Sequence, residues 1–169
     1  MSITTVIFDT DGVLTNNEVT YAGGWPGSLR ARTFYIPDGQ GMKALMDAGL
    51  EVWMISGEED NCIIDRAEKL DVKYNVGTRN KQKIYSILGL LPENCAYMGD
   101  DVNDLLAMKL ARISACPADA HQEVIRFITL DDAATTYNRL GYLSTRCGGQ
   151  GAARDFCDWL LSTGLCLVS

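Results

Sequence analysis

The 169-residue chain has no basic excess: 15 Lys and Arg stand against 22 Asp and Glu, a formal net charge of −7 with the one histidine neutral. Neutralising phosphates along a duplex needs the opposite balance, which excludes a nucleic-acid protein. No apolar run approaches the roughly 20 residues that span a bilayer. The N-terminal Met1-Ser-Ile-Thr-Thr-Val-Ile-Phe8 carries no basic region and stops at Asp9, unlike an export signal. The cysteines, at 62, 95, 116, 147, 157 and 166, include no C-x-x-C pair, and a single histidine leaves zinc little to bind. With no export signal a disulfide framework is not expected. The thiols read as reduced and several of them buried, in a protein placed in the cytoplasm and not on a membrane.

What is present suits one folded domain, expected over residues 1–169. Apolar residues make up 47% and charged ones 22%, and a chain of this length buries roughly 70% of its unfolded surface without staples. Ile3–Phe8 is short, β-branched and apolar, as a strand buried on both faces reads. Ala22-Gly-Gly-Trp-Pro-Gly27 looks like a hairpin tip between two extended runs, the second from Leu29 to Ile36. Met42, Leu45 and Met46 then recur at helical spacing, with Gly49 at the helix C-terminus. Further strands are predicted at 51–55, 72–75, 95–98 and 112–116, alternating with helices marked by Ile63/Ala67/Leu70, Ile84/Leu88/Leu91 and Leu105/Met108. Such alternation implies an α/β fold, a parallel sheet with helices on both faces.

Ligands of such sheets collect at the carboxyl ends of the strands. There the first strand delivers Asp9-Thr-Asp11-Gly12, the second Ser56-Gly-Glu58, and the fourth Gly99-Asp-Asp101 with Asp104 one turn on; Lys81 opens the helix after the third. Carboxylates converging on one cleft repel one another unless a cation sits among them. Oxygen-only ligands favour a hard ion, magnesium above all. Asp9 suits a nucleophile that takes a phosphoryl group, and Asp11 a proton donor to the leaving oxygen. Ser56 supplies a hydroxyl and Lys81 a fixed positive charge, and phosphoryl transfer depends mainly on such positioning and neutralisation. Taken singly, each feature has a plain structural reading: Asp-Gly turns end strands, acids open helices, and lone lysines are usually solvated. Met42, Met46 and Met98 read as core, and His121 is given no role.

Asp9-Thr-Asp11-Gly-Val-Leu-Thr15, Ser56, Lys81 and Gly99-Asp-Asp-Val-Asn-Asp104 together resemble the four ordered motifs of the haloacid dehalogenase superfamily. More narrowly, Asp38-Gly-Gln-Gly-Met-Lys43, Pro117-Ala-Asp-Ala-His121 and Cys147-Gly-Gly-Gln-Gly-Ala-Ala-Arg-Asp155 are similar to the small sugar-acid phosphatases. Those include the 3-deoxy-manno-octulosonate 8-phosphate phosphatases and the nonulosonate (sialic-acid-type) 9-phosphate phosphatases. The resemblance runs over nearly the whole chain. It implies a Rossmann-like doubly wound parallel sheet, a β-hairpin flap over residues 16–37 and no cap domain, with a glycine-rich tail and C-terminal helix over 144–169. It implies Asp9 as nucleophile and magnesium ligand, Asp11 as acid/base that binds metal through its backbone carbonyl, and Asp100 as a further ligand supported by Asp101 and Asp104. It also implies a homotetramer in which a neighbour completes the roof of the site, with the tail reaching that neighbour and Arg154 facing the substrate.

Glu58 resembles the glutamate of the nonulosonate phosphatases, where the octulosonate enzymes usually carry arginine, and Arg66 and Lys69 fit the same pattern. The expected reaction is therefore magnesium-dependent hydrolysis of a nonulosonate 9-phosphate, with the octulosonate 8-phosphate as the alternative. A non-catalytic oligomerising domain of this shape and a response-regulator receiver are the competing classes. Asn16, Cys147 and Asp155 depart from the family pattern, and the stretch 125–143 is longer than the pattern expects.

Overall fold

The computed structural model describes residues 2–23, 29–130 and 139–166. The first strand, β1 (Thr5–Asp9), is buried along its whole length. It leads to a ribbon of β2 (Thr20–Ala22) and β3 (Leu29–Ala31), which pair antiparallel to each other and to nothing else. Of the hairpin tip predicted at 22–27, Ala22 ends β2 and residues 24–27 lie outside the described residues. The extended run expected to Ile36 is shorter: helix α1 (Ile36–Asp47) starts at Ile36, with Pro37 in its first turn. Proline there gives up only an N–H that no helical bond needs. At the other end Gly49 N–H donates to Met46 O at 2.9 Å and Leu50 N–H to Leu45 O at 3.1 Å, with Gly49 at φ +88. This is the Schellman closure that the glycine announced.

The remaining elements alternate: β4 (Glu51–Ile55), α2 (Asn61–Leu70), β5 (Lys73–Asn75), α3 (Ile84–Leu88), β6 (Cys95–Met98), α4 (Leu105–Met108), β7 (Ile113–Cys116), α5 (Gln122–Thr129), β8 (Leu140–Leu143) and α6 (Ala152–Ser162). Six strands form one sheet in the order β5-β4-β1-β6-β7-β8, and every pairing in it is parallel. Strand β8 was not predicted; it falls in the stretch 125–143, part of which lies outside the described residues.

Strand alternation sorts the core into two layers. Val6 and Phe8 face one cluster with Met42 and Leu45 of α1, Ile63 and Ala67 of α2, and Phe156 and Leu160 of α6. Ile7 faces the other with Ile84 and Tyr85 of α3, Ala107 and Met108 of α4, and Val124 of α5. Phe8, Phe156, Trp159 and Tyr142 continue as a chain of rings 4.5–6.1 Å apart between centroids. Among the described residues no helix is long and apolar enough to cross a membrane. From β1 the chain moves outward through β4 and β5, then crosses back to β6 on the other side of β1. That reversal opens a crevice at the carboxyl ends of β1, β4 and β6.

Candidate active site

Asp9 ends β1 and is 5% exposed. The turn beyond it is pinned by Thr10 Oγ1, which donates to Ile55 O at 2.7 Å, and by Leu14 N–H to Thr10 O at 2.9 Å. Gly12 sits in this turn at φ +83, where a Cβ would lie 1.9 Å from Asp100 Oδ2. Only glycine lets the loop pass so close to the acid opposite. A glycine pair presses on the loop from behind: a Cβ on Gly148 would lie 1.9 Å from Gly12 O, and Gly149 N–H donates to Val13 O at 3.0 Å.

Ser56 follows β4, its N–H on Asn75 O at 3.0 Å and its Oγ accepting from Glu58 N–H at 3.0 Å. Lys81, 4% exposed, opens the 3₁₀ turn before α3 and meets Asp9 Oδ2 at 2.7 Å and Asp104 Oδ1 at 2.8 Å. Burial works against its charge, but the Asp9 and Asp104 carboxylates outweigh it and hold its pKa above the ordinary value. Asp104 also accepts from Tyr97 Oη at 2.7 Å and from the Asp100 and Asp101 N–H groups at 3.3 Å. Burial raises the Asp9 pKa well above the usual 3.8, with Asp104 adding to the rise and Lys81 opposing it. Burial and then Asp104 push Asp100 up to about 6, although Asn17 donates to its Oδ2 at 3.0 Å.

Oxygens of Asp9, Asp100 and Asp104 lie within 4.8 Å of one another, and all three residues are buried. The donor set is all oxygen, and Asp9 and Asp100 are raised by burial first and then by their acid neighbours, both of which a cation relieves, so the residues fit a hard divalent ion. Asp104 is also engaged by Lys81, Tyr97 and two backbone N–H groups, and of the three acids Asp9 and Asp100 are the ones that line the cleft. Asp11 and Asp101 stand outside this cluster. Asp101 Oδ1 accepts from Val102 N–H at 2.7 Å, an acid capping its own turn.

A cleft of about 170 Å³ brings together Asp9, Asp11, Ser56, Glu58, Lys81, Asp100 and Asp101, with Asn17 and Asn103. Glu58 has its side chain half exposed, 3.7 Å from Arg30. The other expected substrate contacts lie elsewhere. Arg66 lines a separate small cavity with Asp38 and stacks over Phe34 at 5.5 Å. Lys69 is exposed in the last turn of α2. Arg154 pairs with Asp158 at 2.7 Å, and the glycine-rich stretch docks on this chain's own loop through Gly148 and Gly149.

Sequence reasoning missed Asn17, Tyr97, Asn103 and Arg32. Asn17 takes a φ of +63, which asparagine tolerates better than most residues, but only the structure shows it. Tyr97 lies inside a strand, and Arg32 comes from the ribbon side of the cleft, so neither was visible from local pattern. His121 has a structural role: its Nδ1 accepts from Glu123 N–H at the start of α5, and its own N–H donates to Asp100 O at 2.8 Å.

A buried lysine among three carboxylates at the switch point of a capless parallel sheet defines a haloacid-dehalogenase-type hydrolase site. No family model matches the chain. A 3-deoxy-D-manno-octulosonate 8-phosphate phosphatase, KdsC, of Escherichia coli K12 is 33% identical over 165 residues, covering 95% of this chain and 80% of the relative. A Legionella pneumophila structure assigned to subfamily III A of the haloacid dehalogenase superfamily matches with TM-score 0.79 and 28% identity, covering 95% of this chain and 82% of the other. The Moraxella catarrhalis 3-deoxy-D-manno-octulosonate 8-phosphate phosphatase, solved with magnesium, phosphate and a KDO molecule, matches with TM-score 0.79 and 25% identity, covering 96% and 89%. The chain belongs to the KdsC family of phosphoric monoester hydrolases in the haloacid dehalogenase superfamily.

Proposed function

We propose that the protein is a magnesium-dependent phosphatase of a phosphorylated 2-keto-3-deoxy sugar acid, with the 3-deoxy-octulosonate 8-phosphate as the favoured substrate. The observation that carries the chemistry is Asp9, buried, ion-paired to Lys81 at 2.7 Å and grouped with Asp100 and Asp104. A non-catalytic domain of this shape has no use for such a costly buried cluster. The substrate reading follows the Escherichia coli and Moraxella catarrhalis relatives, both named for the octulosonate, and so replaces the nonulosonate as the leading candidate.

In the first step an Asp9 carboxylate oxygen bonds to phosphorus while the bond from phosphorus to the sugar oxygen breaks, and Asp11 gives that oxygen its proton. In the second, water bonds to phosphorus, Asp11 takes its proton, and the acyl-phosphate bond to Asp9 breaks to release inorganic phosphate. Lys81 neutralises Asp9 and the transferring group, and the Ser56 hydroxyl serves a phosphoryl oxygen. Asp9 and Asp100 would hold magnesium, with the Asp11 carbonyl as the further donor that the resemblance implies; the ion supplies charge neutralisation for the phosphoryl group. The ribbon exposes Tyr21 at 57% and Leu29 at 78%, and a lone two-stranded ribbon is marginally stable in water. Both features support the tetramer, with a neighbour covering the ribbon.

Glu58 favours a second reading. An acid at the cleft rim accepts hydrogen bonds from hydroxyl or amino groups, as a nonulosonate offers, and repels a carboxylate. Phosphate release with magnesium is compared for the octulosonate 8-phosphate and a nonulosonate 9-phosphate. Faster release from the first supports the proposal; faster release from the second moves the assignment to the Glu58 reading; release from neither, by folded protein, ends both.

A further inference from the structure

Two arginines project from the ribbon toward the site, and one of them closes on Asp11. The Arg32 side chain is 2% exposed, although its residue belongs to a surface ribbon segment. Its Nε donates to Asp11 Oδ1 at 2.7 Å and its Nη2 to Asp11 Oδ2 at 3.1 Å. Its Nη1 donates to Asp60 Oδ2. Asp60 is itself fixed, because its Oδ1 caps α2 by accepting from Cys62 N–H at 3.0 Å. Arg30 sits beside it, Nε 3.6 Å from Asp60 Oδ2 and Nη2 donating to Glu59 O at 3.3 Å. The α2 N-terminus, Asp60, Arg32 and Asp11 thus form one continuous chain of charge-assisted contacts.

We infer that Arg32 is a positioning residue for the reaction, setting the orientation of the Asp11 carboxyl while Asp60 anchors it. The inference rests on the reading of Asp11 as the proton donor. A free aspartate rotates broadly about its terminal torsion. The planar guanidinium fork engages both oxygens at once and removes that freedom. Each carboxylate oxygen has two lone pairs, and Arg32 occupies one on each. Thr15 Oγ1 takes a further position on Oδ1 at 3.2 Å. The remaining lone pair of Oδ2 is the one left to carry the transferred proton. Asp11 lines the cleft and Arg32 does not, so Arg32 acts through Asp11 and not on the substrate.

The test is a double-mutant cycle on magnesium-loaded enzyme, using the sugar-acid phosphate that the wild type turns over. Arg32→Gln is expected to lower kcat about a hundredfold, within the range that proton transfer contributes, with KM within about threefold. In an Asp11→Asn background the same change is expected to alter the residual rate by no more than about twofold, because the residue it acts through is gone. An equal loss in both backgrounds, or a higher KM at unchanged kcat, overturns the inference. Asp60→Asn keeps the helix cap, since asparagine caps as well as aspartate. It is expected to cost kcat about threefold to tenfold in wild type and nothing in the Asp11→Asn background. That variant carries the test where Arg32→Gln does not fold, and a wild-type rate from Asp60→Asn then overturns the anchor. Full activity of Asp11→Asn alone overturns the reading of Asp11 itself, which is a separate outcome.

Discussion

Lys81 shows what a single residue does in this site. It is one ammonium between Asp9 and Asp104, at 2.7 and 2.8 Å, with both partners buried. Such a group fixes the geometry more than it adds stability, because desolvating three ions offsets much of their attraction. Removing it is another matter, since two buried carboxylates then face each other uncompensated. Lys81→Met is therefore expected to destabilise the fold by about 3–5 kcal/mol and to abolish phosphate release, measured by denaturant unfolding and a phosphate assay. At Asp100, burial first and then Asp104 raise the carboxyl to about 6, and a cation among these acids would offset both costs. Magnesium is expected to raise the unfolding temperature of the wild type, by about 2.7 kcal/mol of stability at a hundredfold excess over Kd. Asp100→Asn is expected to lose that increment, which a thermal melt with and without the ion checks. Asp9, Asp11, Ser56 and Asp100 were legible as candidates because each stands at or just past a strand end, and Lys81 because it opens the next helical turn. Asn17 and Arg32 were not, because their partners are 83 and 21 residues away in sequence.

The elements were legible where periodicity was strong and tertiary contacts agreed with it. Strands β1, β4 and β6 read as apolar runs because they lie in the middle of the sheet, covered on both faces. The edge strand β8, Leu-Gly-Tyr-Leu, has exposed or half-buried side chains throughout and carried no such run. Helix α1 is weakly amphipathic because Asp38, Gly39 and Gly41 lie on its buried side, and its start was placed late for that reason. Asp38 has consequences of its own. Its Oδ1 accepts from Arg154 N–H at 2.8 Å, while its buried Oδ2 has no hydrogen-bond partner among the described residues. Burial raises its pKa from the usual 3.8 to about 6, despite opposing help from the Arg154 N–H, Arg66 and Arg154. A raised acid makes the folded state bind a proton that the unfolded state releases, so its contribution is full below pH 3.8 and is lost as pH climbs to about 6. The shift corresponds to about 3 kcal/mol. Wild-type stability is expected to fall across that window by roughly this amount relative to Asp38→Asn, as unfolding midpoints at pH 4 and pH 7.5 would show. An equal slope in both proteins contradicts the assignment. The glycine-rich segment before α6 packs by backbone against the Gly12 loop. Gly148→Ala is expected to displace that loop and lower kcat at least about tenfold, the cost of moving reacting groups by a fraction of an ångström.

At the scale of the molecule, the sheet order places β1 between β4 and β6, and the helices divide between two cores. The crossing from β5 back to β6 is what turns scattered acids and one lysine into a single cleft. The sequence pattern was enough for the class of fold and for the family, because four motifs stand in order, three of them at strand ends and Lys81 at the start of the next helix. It was not enough for the substrate side. Arg66, Lys69 and Arg154 do not line this chain's own cleft, and the expectation for Arg154 concerns a neighbour's site. The central claim is that Asp9 accepts the phosphoryl group in a magnesium-dependent hydrolysis. Phosphate release from the octulosonate 8-phosphate, by wild type and Asp9→Asn, with magnesium and with a chelator, tests it most directly. The account predicts release by wild type only with the ion, and a loss of at least about a thousandfold in the folded variant. Comparable release by folded Asp9→Asn would contradict it.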